Sequence, residues 1–302
     1  MRDNPVKTKA LAGQPVFGTF GWEFLVPGLP QIVKAAGAEF LLMDMEHNGT
    51  TYDAVKAQCE MARGIGVVPM ARVASNQYHD ISRALDVGCM GVMVPMVGSA
   101  EEARHIVSCT RYPPTGRRGA AFGFAHDDYE SGSVAEKIRV ANERTLVMCL
   151  IETADGIRNI EEIAAVPGVD VLWLGHFDLT NFLGIPAQFD NPKYVEAIDK
   201  LCAAAKKHNK VLACMTADDA WSTAYWNKGF RMFAMGVDAI HGNDSSPAWP
   251  IGVSYPRGKV MTNSSTQAMA PAASTMVRSI AGFPIAMFAA IEASRNHDSC
   301  GT

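Results

Sequence analysis

Three observations predict a closed (β/α)8 barrel of the TIM type. Short apolar, β-branched runs alternate with helical stretches along most of the 302 residues, the order that builds a parallel sheet from repeated βα units. Several runs, VLWL and GVMVPMV among them, are apolar at every position, as strands must be when helices cover one face and a barrel interior the other. Eight such runs occur, enough to close the ring.

The predicted strands span residues 16–20, 40–45, 68–73, 91–97, 146–151, 169–174, 211–215 and 232–240. Helices are predicted over 53–64, 77–87, 100–109, 157–166, 192–208 and 217–229, several stopping at glycine or histidine. Residues 111–133, RYPPTGRRGAAFGFAHDDYESGS, are rich in glycine, proline and charge and read as a long functional loop on the strand-end side. After Ile240 the chain turns polar and rich in serine and proline, and then Ile285, Phe288 and Ile291 recur at helical spacing within 284–295. This divides the chain into a barrel over 1–245 and, over 246–302, a tail with a last helix that docks on this barrel or on a neighbouring subunit.

Composition narrows the function. With 27 basic and 31 acidic residues the net charge is −4, which gives no electrostatic reason to expect nucleic acid or an anionic membrane as partner. A small molecule is the expected ligand. The charged N-terminus lacks the apolar core of a signal peptide and no run approaches a membrane span, so a cytoplasmic location is expected. The seven cysteines form no C-x-x-C pair, which argues for reduced thiols rather than disulfides or structural zinc.

Catalytic residues of such a barrel lie at the C-terminal ends of its strands. That filter passes Asp44, Glu46 and His47 after the second strand, Arg72 in the third, Glu152 after the fifth and Asp178 after the sixth. Glu152 and Asp178 stand 26 residues apart, one βα unit, so they belong to adjacent strands. Two carboxylates at one barrel mouth repel unless a proton or cation lies between them, and oxygen ligation suits Mg²⁺, Mn²⁺ or Co²⁺. Alternatively, each acid caps the turn that follows it. Arg72 interrupts an apolar strand, so it meets either a bound anion such as a 2-oxo acid or an internal partner, Asp44 or Glu46. His47 shares its strand tip with two acids and is placed to move protons, or to be held by one of them. His176 lies beside Asp178 in GHFD, where its backbone amide could matter more than its ring. Asp86 ends a helix at the bottom of its own barrel. Nucleotide-binding glycine motifs and a GxSxG elbow are absent, and no lysine closes a predicted strand to form an imine.

The segments FLLMDMEHN, VPMARV, ALDVGCMGVMVPMV, RYPPTGRRG and LIETADGIRNIEEIAAVPGVDVLWLGHFDLTNFLG resemble, in order and spacing over about residues 15–243, the HpcH/HpaI class II aldolases. That family, in the phosphoenolpyruvate/pyruvate barrel superfamily, includes 4-hydroxy-2-oxoheptanedioate aldolase, 2-keto-3-deoxy-rhamnonate aldolase and macrophomate synthase. The resemblance implies that Glu152 and Asp178 bind the divalent metal and that Arg72 polarises the carbonyl of pyruvate. The backbone near Phe177 and Asp178 would hold the pyruvate carboxylate, and His47, assisted by Asp44, would be the acid–base residue. It further implies a homohexamer in which residues 284–295 form an exchanged helix and Asp86 stands beside a neighbour's site. Two departures, NGTTYD after Glu46 and His47 and GHFDLTNFLG in place of the commoner G-P-x-D-L, leave the aldehyde acceptor open. The implied reaction is cleavage or formation of 4-hydroxy-2-oxo acids through a pyruvate enolate. Alternatives are oxaloacetate decarboxylation through the same enolate, as in macrophomate synthase, a citrate-lyase-type thioester lyase, and a non-catalytic barrel that binds a 2-oxo acid.

Overall fold

Eight parallel strands pair in sequence order and close on themselves, β8 bonding to β1. The structure, a computed structural model, describes residues 1–238. The first half runs α1 (Pro5–Leu11), β1 (Val16–Gly21), α2 (Leu29–Ala35), β2 (Phe40–Asp44), α3 (Tyr52–Ala62), β3 (Val68–Arg72), α4 (Tyr78–Asp86), β4 (Gly91–Val94) and α5 (Ala100–Thr110). A 3₁₀ turn (Ala125–Asp127) and α6 (Val134–Arg144) lead to β5 (Leu146–Ile151), α7 (Ala154–Arg158), α8 (Ile160–Ala165) and β6 (Val171–Leu174). The rest is α9 (His176–Phe182), α10 (Pro192–Lys207), β7 (Val211–Thr216), α11 (Asp219–Asn227) and β8 (Met232–Val237). The expected tail and exchanged helix lie outside the described residues.

All eight expected strands are present. The helix expected over 157–166 is broken at Asn159, whose side-chain amide donates to the Gly98 carbonyl at 2.7 Å and caps one loop with the other. Helices α1, α2, α6 and α9 lie outside the predicted helical spans. The expectation for the loop at 111–133 needs correction, because it lies at the opposite end of the barrel from the strand tips. It follows a helix that runs antiparallel to the strands, so it emerges at their starts. There Arg118 pairs with Asp86 at the end of α4 (2.6 Å), and Asp128 pairs with Arg2 (2.8 Å) and Arg63 (3.5 Å). Within one subunit it therefore cannot shape the pocket at the barrel mouth.

Alternation along the strands makes two cores. Phe40 and Leu42, Val68 and Met70, Leu146, Met148 and Leu150, and Val171 and Trp173 point inward and fill the barrel with Val6 and Ala10 of α1 as its plug. Their neighbours Leu41, Met43, Ala71, Val147, Cys149, Ile151, Leu172 and Leu174 point outward against the helices. At Gly18 an added Cβ would lie 2.3 Å from the Phe40 ring, so the missing side chain makes room for the aromatic filling. The six cysteines among the described residues are free, and five are buried. No helix among the described residues is long and apolar enough to cross a membrane.

Candidate active site at the C-terminal ends of the strands

The same alternation aims the functional side chains. Residues 40 and 42 point inward, and so does Asp44; 68 and 70 point inward, and so does Arg72; 146, 148 and 150 point inward, and so does Glu152. Asp44 and Arg72 are also register partners across β2 and β3. Arg72 donates from Nε to Asp44 Oδ1 (2.8 Å) and from Nη2 to Oδ2 (2.5 Å), a buried two-pronged pair. The guanidinium lies over the Phe20 ring, 5.2 Å from its centroid, and its Nε is 3.4 Å from Glu46 Oε2. Both internal partners open to Arg72 from sequence are thus realised, with Nη1 left unpartnered among the described residues.

His47 meets Glu46 rather than Asp44. Its Nε2 is 3.6 Å from Glu46 Oε2, whereas Asp44 is taken up by Arg72 and by the Glu46 amide, which donates to Oδ1 at 2.9 Å. The physical reason is parity: Asp44 points into the barrel, and the chain leaves the strand before reaching His47, whose side chain is 58% exposed. Glu46 Oε2 is buried with no hydrogen-bond partner among the described residues, although two cations or potential cations flank it.

Glu152 is buried, and the Met96 amide donates to its Oε1 at 2.8 Å. Met96 adopts φ 58°, a left-handed conformation uncommon outside glycine, which directs this amide at the carboxylate. Opposite it, Gly175, the residue between β6 and α9, continues the inward parity of the strand. A Cβ there would fall 2.6 Å from Glu152 Oε2, so only glycine lets the β6 corner close over the acid. Burial pushes the Glu152 carboxyl from the ordinary 4.5 to about 7; the carboxylates of Glu46 and Asp178 push the same way, against the Met96 amide and Arg72. Glu46 is also raised, first by burial and then by Asp44 and Asp178, against Arg72 and His47. Asp178, in the first turn of α9, is half-buried and close enough to act on both.

Phe177, next to Asp178, exposes 55% of its surface at the mouth. Asp86 is at the other end of the barrel, paired with Arg118. Two features had no accessible signal in the sequence: the left-handed backbone at Met96, and the His176 ring, which is buried and hydrogen-bonded to residues 18 and 39 positions away.

No group of three or more His, Cys, Asp or Glu side chains stands in ready-made ligating geometry among the described residues. What the site offers is a pair, Glu152 and Asp178, with Glu46 beside them. A buried carboxylate oxygen without a partner, next to a carboxyl driven toward its protonated form, is the condition a divalent cation relieves, so these residues fit one.

Comparison with known proteins identifies the family. A profile of the HpcH/HpaI aldolase/citrate lyase family matches residues 26–243. The chain is 29% identical to a hydroxypyruvate/pyruvate aldolase of Roseovarius nubinhibens, over 78% of this chain and 91% of that one. It is 32% identical to a pyruvate aldolase of Rhizobium etli, again over 78% and 91%. Among solved structures, an HpcH/HpaI aldolase from Desulfitobacterium hafniense superposes with a TM-score of 0.74 at 31% identity, covering 78% of this chain and 91% of that one. With the aldolase names of these relatives, a barrel that only binds is set aside: the chain is a lyase that belongs to the HpcH/HpaI aldolase/citrate lyase family.

Proposed function

We propose that the protein is a divalent-metal-dependent aldolase that cleaves or forms 4-hydroxy-2-oxo acids through a pyruvate enolate, with an aldehyde as second partner. The observation that carries this reading is the convergence of Glu46, Glu152 and Asp178 around a guanidinium already oriented by Asp44. Glu152 and Asp178 hold the cation, Mg²⁺, Mn²⁺ or Co²⁺, which when bound supplies fixed positive charge beside the keto oxygen. The amides near Phe177 and Asp178 receive the substrate carboxylate.

In cleavage, His47 accepts the proton of the C4 hydroxyl, the C3–C4 bond breaks, and the aldehyde leaves. The electron pair of that bond moves into the 2-oxo group as an enolate. Arg72 faces the developing charge with Nη1, and Asp44 fixes its other two nitrogens, so little reorganisation is needed when the charge forms. A proton returned to C3 gives pyruvate. Exhaustive chelation is expected to abolish release of pyruvate from 4-hydroxy-2-oxo acids, and Mg²⁺, Mn²⁺ or Co²⁺ to restore it; full activity in the metal-stripped enzyme would refute the reading.

The Glu152 carboxyl gives a pH test. Between pH 4.5 and about 7 the folded metal-free chain retains a proton here that the unfolded chain has released, so this group's contribution to stability falls as pH rises across that window. A cation replaces the proton. Thermal unfolding should therefore show a Mn²⁺-dependent rise in Tm that is larger at pH 7.5 than at pH 5, and an equal rise at both would argue that Glu152 is not a ligand.

The assembly follows the same reading: a homohexamer with residues 284–295 exchanged between subunits. Asp86, at the foot of the barrel, reaches a site only if that site belongs to a neighbour. Removal of residues 280–302 is expected to break a larger oligomer, and unchanged sedimentation would count against it.

A further inference from the structure

The corner that carries Asp178 is pinned from two sides. On the β5 side the Gly175 amide donates to the Ile151 carbonyl at 3.1 Å, and the absent side chain lets the corner lie against Glu152. On the β7 side the next residue, His176, is only 4% exposed. Its Nε2 lies 3.0 Å from the Met215 carbonyl oxygen, and its Nδ1 lies 2.6 Å from the Tyr194 hydroxyl and 3.3 Å from that of Tyr225. The two hydroxyls are 2.8 Å apart.

A carbonyl can only accept, so the network assigns the ring proton to Nε2 and leaves Nδ1 to accept from Tyr194, whose oxygen in turn accepts from Tyr225. Each polar atom of the ring then has a partner. The ring also packs against Trp221 and Tyr225, with centroids 5.0 Å away in both cases. One imidazole thus ties the exit of β6 to β7, α10 and α11 at once. A fully satisfied buried network of this kind fixes orientation more than it adds stability.

We propose that His176 is a positioning residue for the cation site: its two hydrogen bonds set the angle at which α9 leaves β6 and so hold the Asp178 carboxylate against Glu152. This rests on the reading of Glu152 and Asp178 as cation ligands. A spacer that only filled the core would need the ring's shape and not its nitrogens.

The test is Mn²⁺ binding by titration calorimetry on the full chain, with thermal unfolding and steady-state kinetics alongside. His176→Phe keeps an aromatic ring and removes both hydrogen bonds; it is expected to weaken Mn²⁺ binding about 10–100-fold, and to raise the KM for Mn²⁺ in step while kcat at saturating Mn²⁺ changes little. His176→Gln can donate to Met215 and accept from Tyr194, and is expected to recover most of the affinity. The paired change Tyr194→Phe with Tyr225→Phe removes the donor to Nδ1 together with the neighbouring hydroxyl 3.3 Å away that could replace it, and should shift affinity in the same direction as His176→Phe. Parent-like Mn²⁺ affinity in a folded His176→Phe protein overturns the proposal. Should that variant fail to fold, parent-like affinity in the double tyrosine variant overturns it equally. Mn²⁺ that binds neither the parent nor Asp178→Asn removes the cation reading and the positioning role together. Binding lost in Asp178→Asn but untouched in His176→Phe removes the positioning role alone.

Discussion

Replacing Asp178 by asparagine is expected to lower both aldol cleavage and oxaloacetate decarboxylation by about 10²-fold or more, the usual loss for one well-placed electrostatic contact, while leaving the fold as stable as before. The stability half of this expectation comes from its neighbours: Asp178 acts on Glu46 and Glu152 as a like charge, so removing its charge relieves repulsion. Arg72→Ala should lose as much activity and behave differently on heating. It strands Asp44, which is buried and accepts two hydrogen bonds from the guanidinium, and an uncompensated buried charge of this kind typically costs about 3–5 kcal/mol. Measured kcat and Tm for the two variants therefore separate a cation ligand from a residue that is both catalytic and structural. If Asp178→Asn keeps its activity and loses stability instead, Asp178 caps α9 and the cation reading fails.

Periodicity made the barrel readable because burial on both faces leaves little choice of residue, as in β5 and β6, where every position is buried. The convergence of Asp44, Arg72 and Glu152 was readable for the same reason, since each continues the inward parity of an apolar strand. What stayed hidden depends on contacts distant in sequence. The partners of Arg72 can be narrowed to Asp44 or Glu46 from sequence; that it meets both, and that Asp44 takes the two-pronged pair, follows from the direct register of Asp44 with Arg72. Helix α6 follows a loop rich in glycine and polar residues, and α9, which starts one residue beyond β6, is a short corner of seven residues, too brief for a periodic signal. The composition of residues 111–133 says loop but not which end of the barrel it occupies; the direction of the preceding α5 decides that. Gly175 opens the GHFD motif, but the reason it must be glycine is visible only once Glu152 Oε2 stands 2.6 Å from where its Cβ would be.

His47→Ala is expected to divide the two reactions that Asp178→Asn lowers together. Cleavage of a 4-hydroxy-2-oxo acid needs the C4 hydroxyl proton removed, and loss of a general base typically costs about 10²–10⁴-fold. Decarboxylation of oxaloacetate delivers its electron pair to the same enolate with no hydroxyl proton to remove, so the variant should keep most of that activity. The carboxylates on either side of the strand tip then sharpen the assignment. Glu46 is the acid that meets His47, at 3.6 Å, so Glu46→Gln should reproduce part of the selective loss of cleavage. Asp44 bonds Arg72 instead, so Asp44→Asn should depress both reactions through the loosened guanidinium. The comparison requires only the ratio of cleavage to decarboxylation in three variants. A ratio lowered by Asp44→Asn and unmoved by Glu46→Gln would return the proton relay to Asp44. An unchanged ratio in His47→Ala with metal still bound would show that His47 holds the loop after β2 rather than moving the proton.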